Sequence, residues 1–463
     1  MYSLQRRVSP VHDKTTSTIL ALLAHRTPLA RALHAMSSAQ AASSNKRALE
    51  HSPDPGPSRK LQKVFPIFDK AGAASTESSF RWITPALGPK RSCLHGINHQ
   101  PKPSPKVAAF DLDGCLIQGT FPKKGTPPKF EWWRPVVPQK LKQAHEEGYS
   151  IVIITNQALR TQALINDWKK KIPLIANALS DVPFRLFAAT EKDGYRKPIP
   201  GMWYELERIF AQDNVRIDLS ASFFVGDAAG RPNDHSSTDR KLALNIGIPF
   251  HTPEEYFLGL PGASYTLPGF HVSSLPSDLT RIEPPEPPLL PAPSSPEVVI
   301  FVGLPALGKS SFFRTHFDPA GYVHVNQDTL KTRDKCVKAT EQALKDGRSV
   351  VVDNTNRDRA TRKHYVILAK KHGVPIRCIY FAGSVELAWH NNLYRAFNLP
   401  PALAATEPKR DLLPYSAFTG FRADFEEPSV EEGFAEVRKV NFIFEGDQEA
   451  RRRWSMWLQI DGK

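Results

Sequence analysis

The chain has 463 residues, 41% hydrophobic and 10% aromatic, enough to build two or three separately cored domains. Its formal net charge of +14 suits an acidic partner such as nucleic acid. Its four cysteines (Cys93, Cys115, Cys336, Cys378) form no CxxC pair, which argues against a disulfide framework and a zinc cluster and for a reducing compartment. No apolar run reaches the roughly 18 residues that a membrane span needs.

Residues 1–79 read as a disordered basic targeting tail. Its first 63 residues hold ten Lys/Arg against three Asp/Glu, a net +7 (10 − 3). Two addresses compete there. Residues 1–48 carry one acid, Asp13, with Arg6, Arg7, Arg26 and Arg31, as in a mitochondrial presequence. Lys46-Arg47 and Arg59-Lys60 with Lys63 form the two basic clusters of a bipartite nuclear signal. The expected location is the nucleus, with the tail allowing a mitochondrial pool, and Met36 offers an alternative start.

From about residue 80, apolar runs alternate with helix-length segments. VAAF (107–110), SIVIIT (150–155), FRLFAAT (184–190) and SFFVGD (222–227) read as buried strands. QKLKQAHEEG and ALINDWKKKIPLIANAL lie between them as helices. A Pro-rich linker, 271–296, follows. Alternation then resumes with VVIFVG (298–303), YVHVN (322–326), SVVVD (349–353) and IRCIYFAG (376–383). This pattern predicts an α/β protein of two doubly wound parallel-sheet domains, 80–270 and 297–463.

Ligands of open α/β sheets bind at the carboxyl ends of the strands. In the first block those ends carry Asp111 and Asp113, then Thr155, then Asp227, with Arg196-Lys197-Pro198 between the last two. As chemistry, this set suits phosphoryl transfer to a carboxylate. One acid attacks, a second moves the proton, and a third completes the shell of a hard cation. The Thr155 hydroxyl and Lys197 ammonium would offset phosphate charge. Spaced i and i+2, Asp111 and Asp113 can face one side of an extended strand. A lone DxDG is more commonly a turn, so the order of four such elements carries the reading.

FDLDGCLI, ITNQ, RKP and VGDAAGR with DRKLALNIGIPFHTPEEYF resemble the haloacid-dehalogenase phosphatase superfamily, and within it the phosphatase half of polynucleotide kinase 3′-phosphatases. The resemblance implies Asp111 as nucleophile, Asp113 as general acid/base, Thr155 and Lys197 as phosphate ligands, and Mg²⁺ held by Asp111, Asp113 and Asp227, with Asp239 a further acidic neighbour. A short insert after Asp113 leaves no room for a cap domain, so the site would admit a bulky strand end. The insert's KFEWWRP has tryptophans that either stack on bases or pack internally.

GLPALGKSS (303–311) fits the phosphate-binding loop directly after a strand. Gly303, Gly308, Lys309, Ser310 and Ser311 would bind ATP, Lys309 at the β and γ phosphates and Ser310 at Mg²⁺. Leu307 departs from the small residues usual there. Asp328 follows the next strand, where a base could face the γ-phosphate. These residues, with DNTN (353–356), HNNLYRAF (390–397) and EEPSVEEGF (426–434), resemble the kinase half of the same bifunctional enzymes. That resemblance implies Asp328 as base, Asp353 beside the loop serine and Arg395 as a lid arginine. Gln327 stands where the family usually has Arg.

The resemblance thus implies a monomeric DNA-end-processing enzyme without membrane contact, and without the N-terminal phosphopeptide-binding module of animal relatives. It would remove a 3′-phosphate and phosphorylate a 5′-hydroxyl. Two other readings stand beside it: a 3′-phosphatase with a decayed kinase, and a phosphatase fused to a small-metabolite kinase.

Overall fold

The structure, a computed structural model, describes residues 79–119, 128–290 and 295–460. The basic tail with both its candidate addresses lies outside them.

Seven strands form the first sheet: β1 (Phe80–Leu87), β2 (Cys93–Asn98), β3 (Val107–Phe110), β4 (Ser150–Asn156), β5 (Phe184–Ala189), β6 (Phe223–Val225) and β7 (Phe250–His251), in the order β1-β2-β5-β4-β3-β6-β7. From β5 to β7 the pairing is parallel, whereas β1 and β2 add an antiparallel edge. Successive side chains of a strand face opposite sides of its sheet. Accordingly Ala108 and Phe110 enter one core, and Val107 and Ala109 the other.

The second sheet contains β8 (Ile282–Glu283), β9 (Val298–Val302), β10 (Val323–Val325), β11 (Val350–Asp353), β12 (Ile376–Ala382) and β13 (Glu436–Asn441), in the order β10-β11-β9-β12-β13-β8. All its pairs are parallel except β13 with β8. Val299 and Phe301 of β9 face one core, and Val298, Ile300 and Val302 the other. Both sheets are thus parallel-dominated but mixed.

The eight strands expected from sequence all form. The hairpin of β1 and β2 was not anticipated. Pro85 and Gly96 interrupt its sequence pattern, and both residue types are depleted in strands. Gly96 is needed there, since a Cβ would strike the Phe80 ring. The Pro-rich stretch read as a linker is partly sheet: β8 pairs Ile282 with Val440 and Glu283 with Lys439.

Both sheets belong to one compact unit, Ser75–Lys463. Ile199, two residues beyond Lys197, is buried in the core of the second sheet. Among the described residues no helix is long and apolar enough to cross a membrane.

Candidate active sites

At the carboxyl end of β3 the chain stops being extended. Gly114 takes φ +85°, and a Cβ there would collide with Asp227, so DLDG needs its glycine for both conformation and room. The turn separates the two acids that strand geometry would place side by side. Asp111 is buried and converges with Asp227 and Asp239, with one oxygen from each within 4.8 Å of the others. Asp113 is outside this trio. Its carboxylate accepts from Gln157 Nε2 (2.8 Å) and faces buried Lys171 at 3.5 Å.

Lys197 is the cation of the trio. Its Nζ donates to Asp111 Oδ1, lies 2.7 Å from Asp239 Oδ1 and donates to the Ile154 carbonyl (2.9 Å). Asn156 fixes the lysine's backbone in both directions: its Nδ2 donates to the Lys197 carbonyl (3.1 Å), and the Lys197 N–H donates to its Oδ1 (2.9 Å). Thr155 is buried, and its hydroxyl accepts from Gln157 Nε2 at 3.1 Å. Gln157, Lys171 and the trio's need for Asp239 were not assigned from sequence. The TNQ and DRK motifs were visible, but which side chains turn inward was not.

Three acids against one lysine leave an excess of negative charge. Burial pushes Asp111 up to about 7, with Lys197 opposing and Asp239 adding to the rise. Burial and repulsion from Asp111 push Asp227 up to about 8. Although burial alone would lower Lys197, its two carboxylate partners hold its pKa well above the ordinary lysine value. A hard, oxygen-preferring divalent cation fits this donor set, because it neutralises carboxylates that otherwise retain protons. Cation binding must displace those protons. Mg²⁺ affinity is therefore expected to weaken as pH falls from about 8 to about 6. Calorimetry near pH 7 in two buffers of different ionisation heat should detect proton release. No net release would mean that the acids are already ionised.

The tryptophans of KFEWWRP pack. Trp132 and Trp133 are partly buried against the first core, Trp132 edge-on to Phe130 (5.0 Å) and Trp133 against Phe257 (5.9 Å).

The second site surrounds the loop after β9. Gly303 (φ +145°) and Gly308 (φ +86°) take conformations that favour glycine, and Gly308 caps the helix Lys309–Phe312. Lys309 is buried and donates to the carbonyls of Gly303 (3.0 Å) and Leu304 (2.6 Å). Its pKa is lowered to about 8 by burial. Ser310 Oγ donates to Asp353 Oδ2 (2.6 Å), which also meets His324 Nε2 at 3.0 Å. Burial would raise the Asp353 pKa, but these two hydrogen bonds, together with the nearby charge of Lys309, hold the carboxyl below its ordinary value. His324 was not singled out from sequence.

Leu307 points inward, 3% exposed, and packs its methyls over Gly383. It nevertheless contributes to the wall of the cavity that opens over the loop. Ala306 carries the strain instead, at φ +62°, where an L-residue pays roughly 1–2 kcal/mol. Ala306→Gly is expected to stabilise the protein by up to about 1 kcal/mol after the entropy cost of glycine is subtracted. A raised thermal unfolding midpoint would bear this out, and a lowered one would show that the methyl does useful packing.

A cavity of about 580 Å³ opens over this loop. Gly308, Lys309, Ser310, Ser311, Asp328, Asp353 and Arg395 all line it, with Gly303 at the loop's base. Asp328 is exposed at the start of the helix Gln327–Leu330, and Asn326 Oδ1 accepts its N–H (2.8 Å). Gln327 anchors through its backbone to Asn354 Oδ1 (2.7 Å). Burial, reinforced by Arg410, lowers Arg395 to about 10. The remaining motifs are supports. Asn391 Nδ2 donates to the Ala306 carbonyl (3.0 Å), and Glu432 holds fully buried Arg362 through two oxygens.

Fold and geometry define a class: two phosphoryl-handling centres, one built on converging carboxylates and one on a phosphate-binding loop. The model of the family described as polynucleotide kinase 3 phosphatase matches residues 106–257, and one described as an AAA domain matches 298–410. The bifunctional polynucleotide phosphatase/kinase of Schizosaccharomyces pombe is 40% identical over 365 residues, covering 77% of this chain and 84% of that protein. A relative in Acanthamoeba polyphaga mimivirus is 33% identical over 403 residues, covering 78% of this chain and 91% of its own. The polynucleotide 3′-phosphatase ZDP of Arabidopsis thaliana is 37% identical over 186 residues, which is 36% of this chain and 25% of that protein. The chain belongs to the family of bifunctional polynucleotide phosphatase/kinases.

Proposed function

We propose that the chain makes broken DNA strands ligatable, hydrolysing a 3′-phosphate at the first site and transferring the γ-phosphoryl group of ATP to a 5′-hydroxyl at the second. The observation that carries this reading is the presence of both centres in one chain of this family.

At the first site an Asp111 oxygen attacks the phosphorus of the 3′-phosphomonoester. The bond from phosphorus to the sugar oxygen breaks, and Asp113 supplies that oxygen's proton. Water then attacks the aspartyl phosphate and gives a proton to Asp113, which releases inorganic phosphate and restores Asp111. Lys197 and Thr155 offset charge on the phosphoryl oxygens throughout. Gln157, bonded to both Asp113 and Thr155, sets their spacing. Asp111, Asp227 and Asp239 would hold Mg²⁺, which supplies charge neutralisation that favours the ionised nucleophile.

At the second site the loop amides and Lys309 bind the phosphates of ATP. The 5′-oxygen attacks the γ-phosphorus, its proton passes to Asp328, and ADP leaves. Arg395 faces the developing charge, and Ser310 is placed to hold the nucleotide's Mg²⁺.

The test is a gapped duplex bearing a 3′-phosphate and a 5′-hydroxyl, incubated with Mg²⁺ and ATP. Loss of the 3′-phosphate and labelling of the 5′ end are both expected. Failure at both ends, with turnover of small phosphorylated metabolites, would overturn the assignment to nucleic acid.

A further inference from the structure

The segment Trp454–Trp457 touches supports of both sites. On one side Trp454 Nε1 donates to Asn391 Oδ1 (2.7 Å), and Asn391 Nδ2 donates to the Ala306 carbonyl inside the phosphate-binding loop (3.0 Å). On the other, Asn245 pairs with Trp457 in both directions: its Nδ2 donates to the Trp457 carbonyl (2.7 Å), and the Trp457 N–H donates to its Oδ1 (2.8 Å). The same Nδ2 donates to the carbonyl of Pro198, next to Lys197 (2.8 Å). Asn245 lies on the helix Thr238–Ile246, which also carries Asp239. It therefore ties together the two strips of backbone from which the Lys197–Asp239 pair projects.

These contacts are secured. Trp457 stacks on His271 (4.5 Å) and lies under the Lys241 ammonium (4.5 Å). Asn245 and Asn391 are buried, with their hydrogen bonds shielded from water. The Lys197 loop is thus held from two sides: Asn156 from within the first sheet, and Asn245 through a segment that also packs in the core of the second.

We infer that Trp454–Trp457 is a shared strut, with Asn245 a positioning residue for the phosphatase lysine and Asn391 one for the kinase loop. The inference rests on the two-site reading above. Phosphoryl-transfer sites tolerate little displacement, since a shift of about 1 Å can cost on the order of 100-fold in rate. Loosening one end of the strut should therefore affect one reaction.

Two full-chain variants test this beside wild type, with both reactions measured on each protein. Asn245→Asp keeps the acceptor for the Trp457 N–H but loses both donations. Its phosphatase kcat is expected to fall about tenfold at nearly constant KM, with kinase kcat within about twofold of wild type. Trp454→Phe keeps the ring and loses the Nε1–H donor. The expected pattern is reversed: kinase kcat falls several-fold, and the phosphatase changes little. Two results would overturn the strut. In one, each variant keeps both activities at wild-type level. In the other, both activities fall in step in each variant, as general loss of stability would cause. Wild-type activity reports separately on the two-site assignment, and only the ratios of variant to wild type report on the strut.

Discussion

The Asp111→Asn protein is expected to lose 3′-phosphatase activity by about 10⁴-fold or more while retaining its kinase activity. An amide nitrogen or oxygen cannot replace the carboxylate that attacks phosphorus, so the covalent route closes altogether. The fold should tolerate the change. Asp111 is one of three converging acids, and burial with mutual repulsion already raises its pKa to about 7. A neutral side chain of the same shape relieves that repulsion, although Lys197 loses one of its two carboxylate partners. The thermal midpoint is therefore expected near or above that of wild type. Release of phosphate from a 3′-phosphorylated oligonucleotide measures the activity. Substantial residual turnover with burst kinetics would move the nucleophile to another acid of the trio.

Lys309→Ala should lower 5′-phosphorylation on the order of 10²- to 10³-fold, the usual cost of deleting one electrostatic contact to a charged transition state. Lys309 is buried beneath the loop, its ammonium held by two loop carbonyls, and burial lowers its pKa to about 8. A bound triphosphate would place negative charge beside it and favour its ionised form. Transfer of labelled phosphate to a 5′-hydroxyl is the readout, with release from the 3′ end as the internal control. Equal loss at both ends would indicate misfolding.

Much of this was legible in sequence because parallel strands are buried on both faces and read as continuous apolar runs with chemistry at one end. VVIFV before the glycine loop and VAAF before Asp111 are such cases. Three kinds of fact were not legible. The turn at Gly114 decides which acids converge, and an i, i+2 argument that assumes an extended chain misplaces Asp113. Edge strands lack the run: β8 is two residues long and pairs Glu283 with Lys439 of β13, 156 positions (439 − 283) away. Supports are the third kind. Nothing in ALNIG marks Asn245 as different from an exposed helix asparagine until Trp457 is placed against it.

Leu307 and Gly383 are sterically coupled. A Cβ on residue 383 would lie 2.8 Å and 3.0 Å from the two Leu307 methyls, too close for either to remain where it is. A side chain at 383 is therefore accommodated only together with a shift of Leu307. A shorter residue at 307 would ease a replacement at 383, and a longer one would hinder it. A change at one of these two positions therefore alters the cost of a change at the other.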